Sequence, residues 1–107
     1  MTFEIFQKIM SFDTQGSQCI EISFLIKGNE KFDNCWMGKM PYGEMKQELF
    51  WYGLTTDGKN AFEYSTFEEF SSANIFEGKS LLEIWDNILI MEINGCDPDE
   101  MIDIYLS

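Results

Sequence analysis

Two aromatic runs, Leu49-Phe50-Trp51-Tyr52-Gly53-Leu54 and Ala61-Phe62-Glu63-Tyr64-Ser65, flank the stretch Thr55-Thr56-Asp57-Gly58-Lys59-Asn60. An Asp-Gly pair between such runs is a strong hairpin signal, because a tight type I′ turn needs positive φ at both central residues and Asp-Gly adopts it at low cost. With Asp57 and Gly58 at the centre, Trp51 is expected opposite Tyr64, Tyr52 opposite Glu63, and Gly53 opposite Phe62. Side chains alternate between the faces of a strand. Leu49, Trp51, Phe62 and Tyr64 would then line one face, and Phe50, Tyr52 and Leu54 the other, beside Ala61, Glu63 and Ser65. One face must pack on a core. The second is either covered as well or left as an aromatic and acidic surface of the kind enriched in interfaces.

The rest of the chain supplies the covering. Over Thr2 to Phe12, Glu4, Gln7, Lys8 and Ser11 fall on one side of a helix and Phe3, Ile5, Phe6, Ile9, Met10 and Phe12 on the other, which predicts an amphipathic helix laid across a sheet. From Gln18 to Lys27, Ile20, Ile22, Phe24 and Ile26 alternate with Glu21, Ser23, Leu25 and Lys27, the period of a strand with one buried face. Gly28 to Lys31 turns the chain into a weaker strand over Phe32 to Met40, and Met40 to Met45, with Pro41 and Gly43, is a loop. After the hairpin, Thr66-Phe67-Glu68-Glu69 and Ser80-Leu81-Leu82-Glu83 are capping boxes that open short helices. The apolar run Ile88 to Ile93 suggests a strand covered on both faces. Asp97-Pro98-Asp99-Glu100 opens a last helix, with Met101, Ile104 and Tyr105 as its packing face. The order α-β-β-β-β-α-α-β-α predicts an α+β fold: one compact domain over 1–107, a mostly antiparallel sheet of about five strands, and helices mainly on one face.

Charge bears on function. Nineteen Asp and Glu face seven Lys, with no Arg and no His, for a formal net charge of −12. The excess is concentrated in Trp51 to Ser107. Direct nucleic-acid binding and anionic membranes both need clustered Lys or Arg and are disfavoured; a basic protein partner is the natural complement. Ten Phe argue against disorder. Cys19, Cys35 and Cys96 form no C-x-x-C pair and have no His to complete a zinc set; Cys19 and Cys35 read as small buried residues of strands. With no basic leader or long apolar run at Met1-Thr2-Phe3-Glu4, a reduced, cytoplasmic setting is expected.

The motifs that suggest chemistry resolve into structure. Gly78-Lys79-Ser80 has the end of a phosphate-binding loop, but Ala73 stands where its first Gly belongs and the preceding stretch is helical; Gly78 reads as a turn and Ser80 as a cap. Asp97, Asp99, Glu100 and Asp103 lack the spacing of a calcium loop and suit a helix N-terminus. Without His or Arg, the commonest general base and the best anion clamp are missing. No catalytic residue, cofactor or metal ligand is assigned. The small, acidic, aromatic profile is similar in composition to bacterial toxin-immunity proteins and to phage-encoded inhibitors that imitate nucleic-acid charge. It implies a non-enzymatic module that engages a basic protein, with Phe50, Tyr52, Leu54, Glu63, Glu68 and Asp86 as contact candidates. The alternatives are a small enzyme or ligand-binding domain with an aromatic pocket, and an accessory or structural subunit.

Overall fold

The structure, a computed structural model, describes residues 1–11, 19–40, 49–54 and 61–106. Its elements are α1 (Phe3–Met10), β1 (Ile20–Ile26), β2 (Cys35–Met40), β3 (Leu49–Gly53), β4 (Ala61–Tyr64), α2 (Phe67–Ser72), α3 (Leu81–Ile84), β5 (Ile88–Ile93) and α4 (Pro98–Leu106), with single 3-10 turns at Glu30–Phe32 and Trp85–Asn87. The five strands form one antiparallel sheet in the order β4-β3-β2-β1-β5. The first four strands form a meander. The chain then crosses one face through α2 and α3 and returns beside β1, a Greek-key type of connection. This is the α+β fold expected from the sequence. Among the described residues no helix is long and apolar enough to cross a membrane.

The alternation in β1 sorts the sheet into two faces. Ile20, Ile22, Phe24 and Ile26 point inward with Cys35 and Met37 of β2, and the register carries that face through Phe50 and Tyr52 of β3 to Tyr64 and Phe62 of β4. Phe6, Ile9 and Met10 of α1, Phe70 of α2 and Leu81 and Ile84 of α3 close over it. Tyr52 stacks on Phe70 with centroids 4.1 Å apart and planes 6° apart. Its hydroxyl donates to the Phe70 carbonyl at 2.7 Å, one of the carbonyls that the end of a helix leaves without a helical donor. Lys39 is fully buried on this face, its Nζ 5.8 Å from the centre of the Phe50 ring, within reach of a cation–π attraction.

Local chemistry places the helix ends. Thr2 caps α1, its hydroxyl accepting from the Ile5 N–H. The Ser80 box is complete: Ser80 accepts from the Glu83 N–H at 3.2 Å while the Glu83 carboxylate accepts from the Ser80 N–H at 3.1 Å. At Thr66 only the first half forms, and the Glu69 carboxylate accepts from the Thr66 hydroxyl instead. Gly78 belongs to a two-residue turn with Glu77, both at positive φ, closed by paired bonds between Phe76 and Lys79. A turn and a cap thus account for Gly78-Lys79-Ser80.

The Asp57-Gly58 turn lies outside the described residues, but the strands it joins pair Phe50 with Tyr64, Trp51 with Glu63, Tyr52 with Phe62 and Gly53 with Ala61. That is one residue from the expected register, and a one-residue slip moves every side chain of one strand to the other face. Phe62 and Tyr64 therefore join Phe50 and Tyr52, not Trp51. The Ile88–Ile93 run is an edge strand with an uncovered face, not an interior one. Cys35 is buried as expected, but Cys19, just before β1, is exposed. On α4, Met101 is buried while Ile102 and Tyr105 pack beside it, and Ile104 is 66% exposed, because α4 meets the body along one narrow seam with α1 and β5.

Candidate functional site

Among the described residues, the helices cover one face of the sheet and leave the other uncovered. Leu25 and Glu21 of β1, Trp36 and Met40 of β2, Leu49 and Trp51 of β3, Glu63 of β4, and Leu89 and Glu92 of β5 share this outer face through the strand registers. Trp36 is 40%, Met40 45% and Leu89 46% exposed, while Leu25, Leu49 and Trp51 are half-buried. A sheet that has buried one face on helices gains nothing for its fold from a row of large apolar residues on the other. Contiguous exposed apolar surface of this kind marks interaction sites more often than scattered single residues do.

The two tryptophans are seated by glycines. Trp36-Met37-Gly38 on β2 and Trp51-Tyr52-Gly53 on β3 run antiparallel, so that Trp36 faces Gly53 and Gly38 faces Trp51. At Gly38 a Cβ would collide with the Ile20 carbonyl oxygen and stand 2.9 Å from Cζ2 of Trp51. The indole therefore lies down on a strip of bare backbone. Gly53 is roomier, with Cζ3 of Trp51 3.9 Å and Cβ of Trp36 4.0 Å from where its own Cβ would be. Glycines inside strands often mark such close approaches. In the register across the sheet, Glu21, Gly38, Trp51 and Glu63 form one row and Glu92, Ser23, Trp36, Gly53 and Ala61 the next. The Trp51 row thus has a carboxylate at both ends, and the Trp36 row has Glu92 at one.

The structure divides the residues picked out in the sequence. Phe50, Tyr52 and Leu54 are 6%, 1% and 3% exposed and belong to the core beneath α1 and α2, so they offer no surface to a partner. Glu63 is exposed on the outer face beside Trp51. Glu68, in the first turn of α2, and Asp86, in the 3-10 turn before β5, are exposed in the helical layer and are not brought together with Glu63. Trp36 and Trp51 escape notice when the hairpin is read one residue out of register. The repeated Trp-x-Gly on neighbouring strands is the signal that marks them.

The groups whose ionisation the fold moves are Cys35, Tyr52 and Tyr64 of the inner face and Tyr105 of α4. Burial pushes the Cys35 thiol up to about 11, against a lowering contribution from the Asn34 backbone and with a smaller raising one from Asp33; its Sγ lies 3.6 Å from the Leu54 carbonyl. Burial, then the neighbouring Tyr64, pushes Tyr52 up, and burial raises Tyr64 and Tyr105. A thiol and phenols held in their neutral forms are packing groups, not activated ones. At the start of α4 the Asp97 carboxylate accepts from the Asp99 N–H at 2.9 Å, an Asx turn that engages the densest acidic stretch in capping. The single ion pair among the described residues joins Lys31 to Glu77 at 4.0 Å on the surface, so most carboxylates of the described residues form no ion pair within them. Comparison with models of known protein families, with curated proteins and with solved structures returns no match.

Proposed function

We propose that this chain is a non-enzymatic binding module that engages a basic protein through the outer face of its sheet, in the manner of an inhibitor or immunity partner. The observation that carries the reading is the pair Trp36 and Trp51, laid on glycine-lined backbone and flanked by Glu21, Glu63 and Glu92. Tryptophan is the residue most enriched among interface hot spots. Two of them held by the backbone lose little freedom on binding. Five strands about 4.8 Å apart and about 17 Å long make a face of roughly 400 Å², about half of the roughly 800 Å² that each partner contributes to a stable interface. A partner therefore has to reach past the tryptophans onto the rim, where the carboxylates select a basic surface and the net charge of −12 speeds its approach. The three unpaired thiols suit a reducing compartment such as the cytoplasm.

The test is capture from native extract on two matched baits, the wild-type chain and a Trp36→Ser/Trp51→Ser variant, at low and at moderate salt. The reading expects a basic protein held by the wild type, held less firmly as salt rises, and bound about thirtyfold more weakly by the variant, the loss that one hot-spot residue typically causes. Capture that is equal on both baits, or no capture at either salt, overturns it.

A further inference from the structure

The second surface with unspent bonding capacity is the free edge of β5. Its ladder with β1 is phased by the Lys27 N–H donating to the Asn87 carbonyl at 2.8 Å and the Asn94 N–H to the Glu21 carbonyl at 2.7 Å, with a register shift between Ser23 and Phe24. Antiparallel pairing alternates, so Leu89 turns its backbone groups to β1, while Ile88, Ile90 and Ile93 turn theirs outward. Ile93 is already served: the chain reverses at Asn94-Gly95, both at positive φ, and Cys96 exchanges two bonds with it at 3.0 Å. The Ile88 N–H donates to the Trp85 carbonyl. By this alternation the Ile88 carbonyl and both backbone groups of Ile90 point away from β1, and outside the ladder they form no backbone hydrogen bond among the described residues.

These groups open onto a cleft of about 430 Å³ between Ile88–Met91 and the first turn of α4, with Trp85 and Ile102 as apolar walls, Asp97 and Asp99 on one side, and Lys27 also at the wall. Proteins ordinarily blunt sheet edges with charges, Pro or shortness. The opposite edge follows that rule, since β4 has four residues and carries Glu63. The β5 edge does not, since Ile88-Leu89-Ile90-Met91 carries no charge. We infer that this edge takes an extended peptide segment bearing a lysine or arginine, which adds to the sheet as a sixth strand. Ile90 would exchange two bonds with the peptide backbone and the Ile88 carbonyl would accept a third. One apolar side chain would enter the cleft against Trp85 and Ile102, and the basic one would reach Asp97 and Asp99, whose combined charge outweighs that of Lys27. Strand addition of this kind takes its affinity from the backbone and its selectivity from alternate side chains. The inference does not depend on the Trp36–Trp51 face.

The experiment screens a displayed library of random linear dodecapeptides on the full chain, then measures the strongest binder by titration and by amide exchange in NMR. The expected peptides alternate apolar residues and carry Lys or Arg, and they slow exchange at the Ile90 N–H. Ile90→Pro, which removes that outward donor and leaves the β1 ladder intact, abolishes binding. Asp97→Asn/Asp99→Asn, which keeps an Asn cap, lowers affinity about tenfold, as expected for loss of a charged pair, and decides the matter should the proline variant not fold. No selected peptide, slowed exchange elsewhere than on β5, or undiminished binding to the folded variants overturns the inference. So does protection of the Ile90 amide that grows with protein concentration without peptide, since a second copy would then occupy the edge.

Discussion

Replacing Gly38 by alanine tests the seat of Trp51 directly. A Cβ at Gly38 would collide with the Ile20 carbonyl oxygen, a backbone atom of the neighbouring strand, and press on Trp51 at 2.9 Å. The indole can swing away, but the carbonyl can retreat only if β1 and β2 separate, which loosens the ladder where Glu21 faces Gly38 and Ile20 faces Lys39. Forcing atoms into a filled site costs about 1–3 kcal/mol, and each weakened ladder bond adds up to about 1 kcal/mol. Alanine gives back about 0.4–1 kcal/mol by restricting the unfolded chain. The net expectation is a loss of about 2–3 kcal/mol, a large share of the 5–15 kcal/mol typical of a domain. At about 4–8 °C per kcal/mol the midpoint of a thermal melt, followed by far-UV circular dichroism, falls by roughly 10–20 °C. Gly53→Ala is the internal control. Its Cβ meets only ordinary contacts at 3.9 and 4.0 Å, so its melt is expected to shift by less than about 5 °C in either direction. Equal melts for the two variants would refute the close approach at Gly38, and with it the account of how Trp51 is held.

Two further outcomes follow from the inner face. Tyr52→Phe keeps the ring stack on Phe70 but leaves the Phe70 carbonyl without its donor, which costs about 1–2 kcal/mol; a lower urea midpoint at unchanged slope is the expected result, and an unchanged midpoint counts against the bond. Cys35 and Tyr52 are both acids whose pKa folding raises. Their neutral forms are therefore favoured in the folded state, and the stability they contribute is fully present below their unfolded pKa values, about 8.5 and 10. It drains away as pH climbs past those values and the unfolded chain alone releases protons. Urea midpoints are expected to fall from about pH 9 upward, with Cys35→Ala flattening the first part of the decline. At neutral pH a thiol reagent is expected to label exposed Cys19 and Cys96 and to reach Cys35 only on unfolding.

What the sequence makes legible is whatever a short period or a cap determines. The alternation of Ile20, Ile22, Phe24 and Ile26 specifies β1 and its buried face, and the Ser80 and Glu83 pair specifies the start of α3 to the residue. Burial that depends on neighbours far along the chain is not legible in the same way. Ile88 to Ile93 has the composition of a central strand, yet it returns after β4 by way of α2 and α3 and lands at the edge beside β1. Nothing within the run says how many neighbours it has. The Asn94-Gly95 turn that follows it carries a signal as plain as Asp57-Gly58, but it joins β5 to the single bridging residue Cys96 before α4 begins, so it makes a one-bridge hairpin and no further strand.

The hairpin register is the point on which the site turned. Assigning a turn centre fixes which side chains share a face, and an error of one residue exchanges an inner set for an outer one. Trp51 and Tyr52 are adjacent and both aromatic, so hydrophobicity cannot say which of them faces the helices. Glycine can. Trp36-Met37-Gly38 and Trp51-Tyr52-Gly53 pair antiparallel with each tryptophan opposite the other strand's glycine. That arrangement places both indoles on one face with space beneath them, while Met37 and Tyr52, midway between, meet on the other face and are both buried. Burying the tryptophans instead would have turned Met37 and Tyr52 outward and put glycines in the core, where each missing side chain leaves a hole costing several kcal/mol. The Tyr52 hydroxyl would also have lost the Phe70 carbonyl. Packing therefore selects the face that carries the tryptophans, and it selects the one that the helices leave uncovered.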